Sequence, residues 1–258
     1  MRVAFVEPMT HAAEFEKTGL EMTAFPEAEE NELLAGLPHR EREIMDSILE
    51  PTLIRSKQLM TEAGGVINEV HFPQTAVISL VTVLEGDAGV EALTVGKDGF
   101  SGLPVLHGIT TSYNRVIGQI PGTSRRAPVR AFLDVLPEVP ELHRRLLRYS
   151  QLAMEIASQS AACNRIHVTE ERCARWLLLS QDRVGRDEFE LTQGFLSQML
   201  GVRRPGVTVA IGVLEKAGLI AHQRGRIRIL DRGGLEAASC ECYGLARRRQ
   251  QELFLRGE

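Results

Sequence analysis

The spacing of apolar positions changes along the chain, from short alternating runs in the first half to helical periods in the second. Residues 1–30 show no sustained period and are expected to be a variable lead-in. From Asn31 an apolar face interrupted at Pro38 predicts two short helices. Short runs separated by glycine turns then predict strands at 52–60, 66–72, 76–84, 89–95 and 115–120. Closely spaced strands of this kind favour an antiparallel jelly roll.

A heptad pattern begins after Pro137 and Pro140 and predicts one long helix. Its spacings of four and three define a predicted dimer seam of Leu142, Leu146, Tyr149, Ala153, Ile156, Ser160 and Cys163. A second line through Leu147, Met154 and Ala161 widens the apolar surface. We expect one face of this helix to pack on its own chain and another on a partner helix, which favours a homodimer. The alternative is a helix packed only within its own chain.

The segment from Leu191 to Leu230 has the pattern of a winged helix-turn-helix. Thr192 is the expected N-cap of a first helix, and Gly201 is the positive-φ residue that ends it. The second helix has apolar positions at i, i+3, i+4 and i+7, namely Val207, Ala210, Ile211 and Leu214. Two short alternating runs around Arg224 then predict a basic hairpin, the wing.

The side of the second helix opposite that stripe is the predicted reading surface. Arginine can contact guanine, threonine can donate or accept, and a valine methyl group can contact thymine, whereas arginines of the wing can neutralise phosphates. The predicted DNA-binding residues are Thr192, Gln193, Arg203, Arg204, Thr208, Val209, Arg224 and Arg226.

The charge distribution supports this location. The chain of 258 residues has a net charge of -4, but residues 200–232 carry seven basic and two acidic side chains whereas residues 1–135 carry 11 basic and 19 acidic ones. A local positive patch suits the phosphate backbone of DNA; a merely solvated charged face is the alternative. There is no apolar run of roughly 20 residues and no pattern of a secretory signal, so we expect a soluble cytoplasmic protein without a membrane partner.

These elements, in this order, resemble the Crp/Fnr superfamily of bacterial transcription regulators. In the helix-turn-helix the resemblance rests on Leu191 and Thr192 through Gly201, then on Arg204, Val207, Leu214 and Gly218-Leu219-Ile220. Upstream it rests on LLAGLP, on the run from Leu49 to Leu80 and on TVGKDGFSGLPVL.

The resemblance implies an α+β fold with three parts after the lead-in. They are an N-terminal antiparallel β jelly roll of the cyclic-nucleotide-binding-like type at 31–136, a dimerisation helix at 137–168 and a C-terminal winged helix-turn-helix at 169–247. A tail at 248–258 would follow.

The chain departs from the family pattern at the ligand positions. Members that bind cyclic AMP have a glutamate in a Phe-x-Gly-Glu turn, where this chain has Leu103 after Gly102. They also follow the phosphate-binding arginine with a hydroxyl residue, whereas Val116 follows Arg115 here. Lost hydrogen bonds of this kind make cyclic AMP an unexpected ligand. Gly102, Leu103 and Arg115 remain the candidate effector-binding residues for another molecule.

The recognition helix departs from the pattern as well. Members that read the best-known operator of the family present Arg-Glu and a later Arg. Arg204 matches the first of these, but Pro205 and Val209 occupy the other two positions. A different half-site is therefore expected.

The four cysteines lack the spacing typical of zinc or iron–sulfur sites, and none precedes residue 163. We expect no metal, haem or iron–sulfur cofactor. For Cys163, a small buried residue is favoured over a redox-sensitive disulfide across the dimer. Cys240 and Cys242 could bind metal or oxidise, although such a pair more often simply packs.

The sequence thus predicts a homodimeric regulator that binds a pseudo-palindromic operator. An alternative or additional function is a small-molecule or redox sensor that acts through a hinge near residues 164–170. A cupin-type metalloprotein or an enzyme is disfavoured, because the sequence has no paired carboxylates or histidine cluster. RNA polymerase and an unidentified effector remain open as partners.

Overall fold

The computed structural model of the chain describes residues 30–85, 89–223 and 225–255. The lead-in therefore lies outside the described residues, except for its last position. The elements of the first half are α1 His39–Ile48, β1 Glu50–Ile54, β2 Leu59–Thr61, β3 Glu69–Pro73, β4 Val77–Val83, β5 Gly89–Val95, α2 Leu103–Leu106, β6 Arg115–Ile120, β7 Gly122–Pro128 and α3 Val129–Val135. Those of the second half are α4 Pro140–Ile166, α5 Thr169–Val184, β8 Glu188–Glu190, α6 Gln193–Leu200, α7 Arg204–Lys216, β9 Ile220–Gln223, β10 Arg226–Ile229, α8 Arg232–Ala237 and α9 Cys242–Leu255.

The first half forms two antiparallel sheets, with strand orders β1-β7-β3 and β2-β6-β4-β5. The predicted run at 52–60 is interrupted, because Lys57 adopts a positive φ of 62° in a turn between β1 and β2. Strand β7 was not predicted, since the consecutive Arg125 and Arg126 hide its alternation. Three phenylalanine rings form the centre of the core, with centroids 5.0 Å apart for Phe72 and Phe100 and 5.5 Å apart for Phe100 and Phe132.

Helix α4 begins at Pro140 and runs for 27 residues. Proline at the first helical position needs no hydrogen-bond acceptor for a backbone N–H, which explains where the helix starts. The predicted dimer seam lies on the face of α4 that turns toward its own chain. Leu142, Leu146, Tyr149 and Ala153 are buried there, and Leu142, Leu146 and Tyr149 belong to the aromatic core of the first half.

The assignment of those residues to a contact with a second subunit is therefore wrong. Cys163, at the end of the same line, is fully buried within its own chain, and Ile156 and Ser160 are half-buried. The second apolar line is the exposed one, since Leu147, Met154 and Ala161 face solvent. The heptad count was right, but the chain itself covers the larger stripe, which packs in the core of the first half.

The second half forms one hydrophobic cluster around α5, α6 and α7, next to a small sheet with the order β8-β10-β9. Helix α5 extends to Val184 and ends on Gly185, whose φ of 66° is the left-handed conformation of a C-cap. Asp231 caps α8, because its side chain accepts a hydrogen bond from the backbone N–H of Gly234. Helix α9 continues past position 248, where a tail was predicted to begin, and packs on α4 and α5.

The helix-turn-helix half rests against the sheet of β4, β5 and β6. Its cluster includes Val77, Val81 and Ile120 from that sheet. The indole Nε1 of Trp176 donates to Glu91 Oε1 at 3.0 Å, and the guanidinium of Arg183 lies 3.1 Å from Asp98 Oδ1. We call the residues Trp176, Arg183 and Met199 the sensor-facing surface of this half. Among the described residues, no helix is long and apolar enough to cross a membrane.

Candidate nucleic-acid interface

Helix α6 begins and ends as its sequence predicts. The hydroxyl of Thr192 accepts a hydrogen bond from the backbone N–H of Phe195 at 3.2 Å, which satisfies one of the unpaired donors of the first turn. Gly201 ends the helix with a φ of 61°. A residue with a Cβ would be strained in that conformation, so the sharp turn into α7 depends on this glycine.

Helix α7 has two faces of opposite character. Its predicted stripe is buried throughout and packs in the second-half core: Val207, Ala210, Ile211 and Leu214. The opposite face is exposed in its first turns, where Arg204, Pro205, Thr208 and Val209 are accessible, with Arg203 just before the helix. Val209 is 58% exposed, so its side chain is accessible to another molecule. We call Arg203, Arg204, Thr208 and Val209 the DNA-facing surface.

Two contacts fix the side chains of this surface. The hydroxyl of Thr208 lies 3.0 Å from Gln193 Oε1 and 3.1 Å from the Arg204 carbonyl oxygen, so its single proton serves one of them at a time. The guanidinium of Arg204 lies over Gly194, where an added Cβ would come within 3.1 Å of Nη2. Gly194 therefore leaves room for Arg204, and Gln193 and Thr208 are held side by side across the helix pair.

The backbone of α7 is open to close approach. A Cβ added at Gly206 or at Gly212 would have no atom within 4 Å, other than the helix's own backbone. Neither glycine is therefore required by packing inside the protein. Glycine is less favourable than alanine in a helix by about 0.5–1 kcal/mol. Alanine would therefore fit at either position without a change in packing.

The wing is formed by β9 and β10, and its two described arginines, Arg226 and Arg228, are already paired. Arg228 Nε donates to Glu188 Oε2 at 2.7 Å, and Arg226 lies 3.4 Å from Glu188 and 3.9 Å from Glu190. The hydrogen bond from Arg228 lowers the pKa of the Glu188 carboxyl. Arg226 was predicted as a free phosphate contact, whereas strand β8 partly neutralises it. Arg224 lies outside the described residues, and Arg228 is an exposed wing residue that the sequence analysis did not single out.

The candidate effector residues do not come together. A cavity of about 390 Å³ lies within the jelly roll, and of the three candidates only Gly102 lines it. Leu103 packs against the hydrophobic clusters of the first half, and Arg115 pairs with Glu62 at 2.6 Å. Leu103 and Arg115 do not line this cavity, and their role as effector contacts stays a prediction.

The polar lining of this cavity comes from strands that are distant in sequence. Strands β3 and β7 place His71 opposite Arg126, and Arg126 lies 3.0 Å from Glu69 Oε1. Burial, together with the charge of Arg126, lowers the pKa of His71 to about 3, so the imidazole is neutral. Its Nδ1 is buried without a hydrogen-bond partner among the described residues. No spacing rule connects residues 69, 71 and 126, and only the strand register reveals the site.

Three of the four cysteines lie close together in the structure. Cys163, Cys240 and Cys242 lie together with His167, although no short motif links them. The expectation of no metal site rested on sequence spacing alone. Spacing does not detect ligands that tertiary folding brings together from distant parts of the chain. Cys173 is buried elsewhere, in the core of the second half.

Comparisons with known proteins agree with this geometry. The sequence profile of the Crp-like helix-turn-helix domain matches residues 171–238. Among solved structures, FixK2 from Bradyrhizobium japonicum is 14% identical with a TM-score of 0.63, over 75% of this chain and 98% of that one. A CRP-family transcriptional regulator from Thermus thermophilus is 18% identical with a TM-score of 0.61, and the match covers 73% of this chain and 96% of that one.

A third similar structure is that of the global regulator CLP from Xanthomonas campestris, which is described as responsive to c-di-GMP. It is 11% identical with a TM-score of 0.57, over 73% of this chain and 97% of that one. Curated protein sequences give no match. At identities this low the structural likeness establishes the shared fold.

The fold and the site agree with those of DNA-binding transcription regulators of the Crp/Fnr type. Residues 171–238 belong to the Crp-like helix-turn-helix domains, and the remainder of the chain carries them on the Crp/Fnr fold. The predicted resemblance and the predicted fold class are thereby confirmed. The class consists of transcription regulators and not of enzymes.

Proposed function

We propose that the chain binds a pseudo-palindromic operator as a homodimer and places α7 of each subunit in the major groove. The observation that carries the proposal is the division of α7, whose stripe is buried while its N-terminal face, with Arg204, Thr208 and Val209, is exposed. In a helix-turn-helix this part of the second helix contacts base edges. In this proposal Arg203 and the wing arginines bind phosphates, and Arg226 and Arg228 exchange their exposed pairs with Glu188 for them.

Selection of bound sequences from a random DNA library would identify the operator, and Arg204 then provides the sharpest test. Arg204→Ala should lose about 1–3 kcal/mol of binding free energy and relax specificity at one base position. Lys216→Ala, at the other end of α7, is the matched control and should leave specificity unchanged. Equal weakening on all sequences would contradict base reading by Arg204, because it is the behaviour of a phosphate contact.

We further propose that two subunits meet along the exposed line of α4. The exposed line follows spacings of four and three residues, at positions 147, 151, 154, 158, 161 and 165. Its apolar members, Leu147, Met154 and Ala161, are exposed in the single chain. Leu147 and Met154 are 46% and 58% exposed, and a partner helix at this seam would bury both. Met154→Glu should convert the dimer to a monomer in sedimentation analysis. Tyr113→Glu, at another exposed position, should not.

A second candidate function is effector binding in the jelly-roll cavity. A volume of about 390 Å³ lies in the range of small-molecule sites, and the lining combines Arg126, Glu69 and a neutral buried histidine. We propose a ligand other than cyclic AMP, because the sequence has Leu103 and Val116 at the positions where family members that bind cyclic AMP carry a glutamate and a hydroxyl residue. A thermal-shift screen should show no response to cyclic AMP, and micromolar binding of that nucleotide would overturn the argument.

A further inference from the structure

Three cysteines and a histidine converge where the long helix joins the helix-turn-helix half. Cys163 lies in the last turn of α4, and His167 is the residue that caps its C-terminus. Cys240 lies just before α9, and Cys242 is the first residue of that helix. The four ligand atoms all lie within 4.8 Å of one another. Residues about 75 positions apart in sequence thus form one compact cluster.

The distances have the scale of a tetrahedral ion site. Cys163 Sγ lies 3.6 Å from Cys240 Sγ, and Cys242 Sγ lies 3.7 Å from His167 Nδ1. Zinc–sulfur bonds of about 2.3 Å and zinc–nitrogen bonds of about 2.0–2.1 Å at tetrahedral angles place neighbouring ligand atoms roughly 3.5–3.8 Å apart. These two edges therefore fit one ion. Iron–sulfur clusters bind their cysteines through more than one iron atom and spread the sulfur atoms further apart.

The surroundings of the four ligands suit a bound cation with thiolates. The Nε2 atom of His167 lies 3.1 Å from Glu241 Oε2, so that a carboxylate can hold the imidazole with Nδ1 turned to the cluster. Gln159 Nε2 donates to Cys242 Sγ at 3.0 Å. These contacts orient two of the four ligands without occupying their metal-binding positions.

The charge around the cluster is also appropriate. Three thiolates and one divalent ion leave a net charge of about −1, since a neutral imidazole adds none. Arg172 and Arg175 are buried and interact electrostatically with Cys163, and the Nε atom of each has no hydrogen-bond partner among the described residues. Buried cations of this kind are stabilised by a negative cluster beside them.

We propose that Cys163, His167, Cys240 and Cys242 bind one Zn²⁺ ion in a closed Cys3His site. Four protein ligands and full burial of the cysteines are the features of a structural zinc site and leave no open position for a substrate. The three thiols release their protons to solvent as the ion binds. Since only His167 and Val168 separate α4 from α5, the ion fixes the joint between the long helix and the helix-turn-helix half.

Metal analysis of the full chain, purified under reducing conditions, tests the site directly. We expect one zinc ion per chain. After removal of zinc by a chelator, added Co²⁺ should give the visible bands of tetrahedral coordination and the near-ultraviolet charge-transfer band of cobalt–thiolate bonds. Unfolding of the zinc-bound protein should occur at a higher temperature than that of the chelator-treated protein, because the ion binds the folded state. This readout does not depend on DNA binding.

Substitutions distinguish the residues that bind the ion from residues that only lie near it. Cys240→Ser combined with Cys242→Ser should abolish stoichiometric binding, whereas Cys173→Ser, which alters the one cysteine outside the cluster, should retain it. Glu241→Gln should keep the cobalt spectrum but weaken metal affinity by about 10–100-fold, as expected for a residue that orients a ligand.

Two results would overturn the proposal. One is wild-type protein that carries no zinc and gives no cobalt–thiolate band. The other is an intact mass lower by two hydrogen atoms under non-reducing conditions, together with no metal uptake after reduction, which would indicate a Cys163–Cys240 disulfide instead. Because the wild-type titration needs no substitution, a variant that fails to fold does not affect the conclusion.

Discussion

The two surfaces of the helix-turn-helix half differ in how their charges are held. On the sensor-facing surface, the side chains of Arg183 and Asp98 form an ion pair in which they are only 8% and 7% exposed. In the wing, whose arginines are proposed to bind DNA phosphates, Arg228 pairs with Glu188 while its side chain stays 62% exposed. A buried pair is costly to break, whereas an exposed pair exchanges readily with water or with another anion. The sensor-facing surface is thus suited to holding the helix-turn-helix half against the first half. The exposed pair of the wing is suited to exchanging Glu188 for another anion.

The largest expected effect is on the sensor-facing surface. Asp98→Ala removes the acceptor of the Arg183 guanidinium and leaves a buried charge without its partner, which should lower the free energy of unfolding by about 3–5 kcal/mol. Urea denaturation measures the change, and Asp98→Asn, which keeps the shape and one acceptor, should lose less. A loss below about 1 kcal/mol would mean that water reaches the pair and that the two surfaces do not differ.

Two helix caps allow the surfaces to be compared with matched chemistry. Thr192 caps α6 beside the DNA-facing surface, and Asp231 caps α8 away from it, each through a side-chain oxygen that accepts from a backbone N–H. Replacing either by alanine should reduce stability by about 1 kcal/mol. Only Thr192→Ala should also weaken operator binding, as measured by fluorescence anisotropy. Equal DNA affinity of the two variants would show that Thr192 does not contact DNA.

A smaller gain in stability is expected on α7. Gly206→Ala and Gly212→Ala should each raise the free energy of unfolding by about 0.5–1 kcal/mol, because the new Cβ has open space and the helix gains propensity. Gly206 lies in the first turn, next to Arg204. If that turn approaches DNA closely, Gly206→Ala should weaken operator binding while Gly212→Ala should not. A loss of stability in either variant would show that the glycine serves packing inside the chain.

The smallest effect on stability is expected from Glu188→Gln in strand β8, since the pair with Arg228 is exposed. Affinity for DNA should rise, because the wing arginines lose a competing carboxylate, and the rise should be largest at low salt. The pKa of Glu188 lies below its ordinary value through Arg228. The small contribution of the pair to stability is therefore present above the ordinary glutamate pKa and is lost as the pH falls through the lowered value. Unchanged affinity in Glu188→Gln would show that the wing does not contact DNA.

The part of the molecule that sequence reasoning predicted well is the part built from local contacts. The cap at Thr192, the turn at Gly201 and the stripe of α7 all involve residues within a few positions of one another, so their periodicity carries the information. The strand β7 was missed because two arginines interrupt its alternation.

The ligand positions could not be predicted, because they depend on contacts between distant segments. His71 and Arg126 face each other through strand register, and Cys163 meets Cys240 only after α9 folds back on α4. The seam of α4 shows a third kind of failure. A heptad pattern counts apolar positions, but it does not state whether a second subunit or the same chain covers them.

The position of the cluster in the chain has a consequence for protein synthesis. Cys163 and His167 emerge from the ribosome well before their partners, since 77 residues separate Cys163 from Cys240. At roughly 5–20 residues per second, that interval lasts about 4–15 s. During this time the thiol of Cys163 is without Cys240 and Cys242. The proposed ion site, which would fix the joint between the two halves, can therefore form only after both of these cysteines have been made.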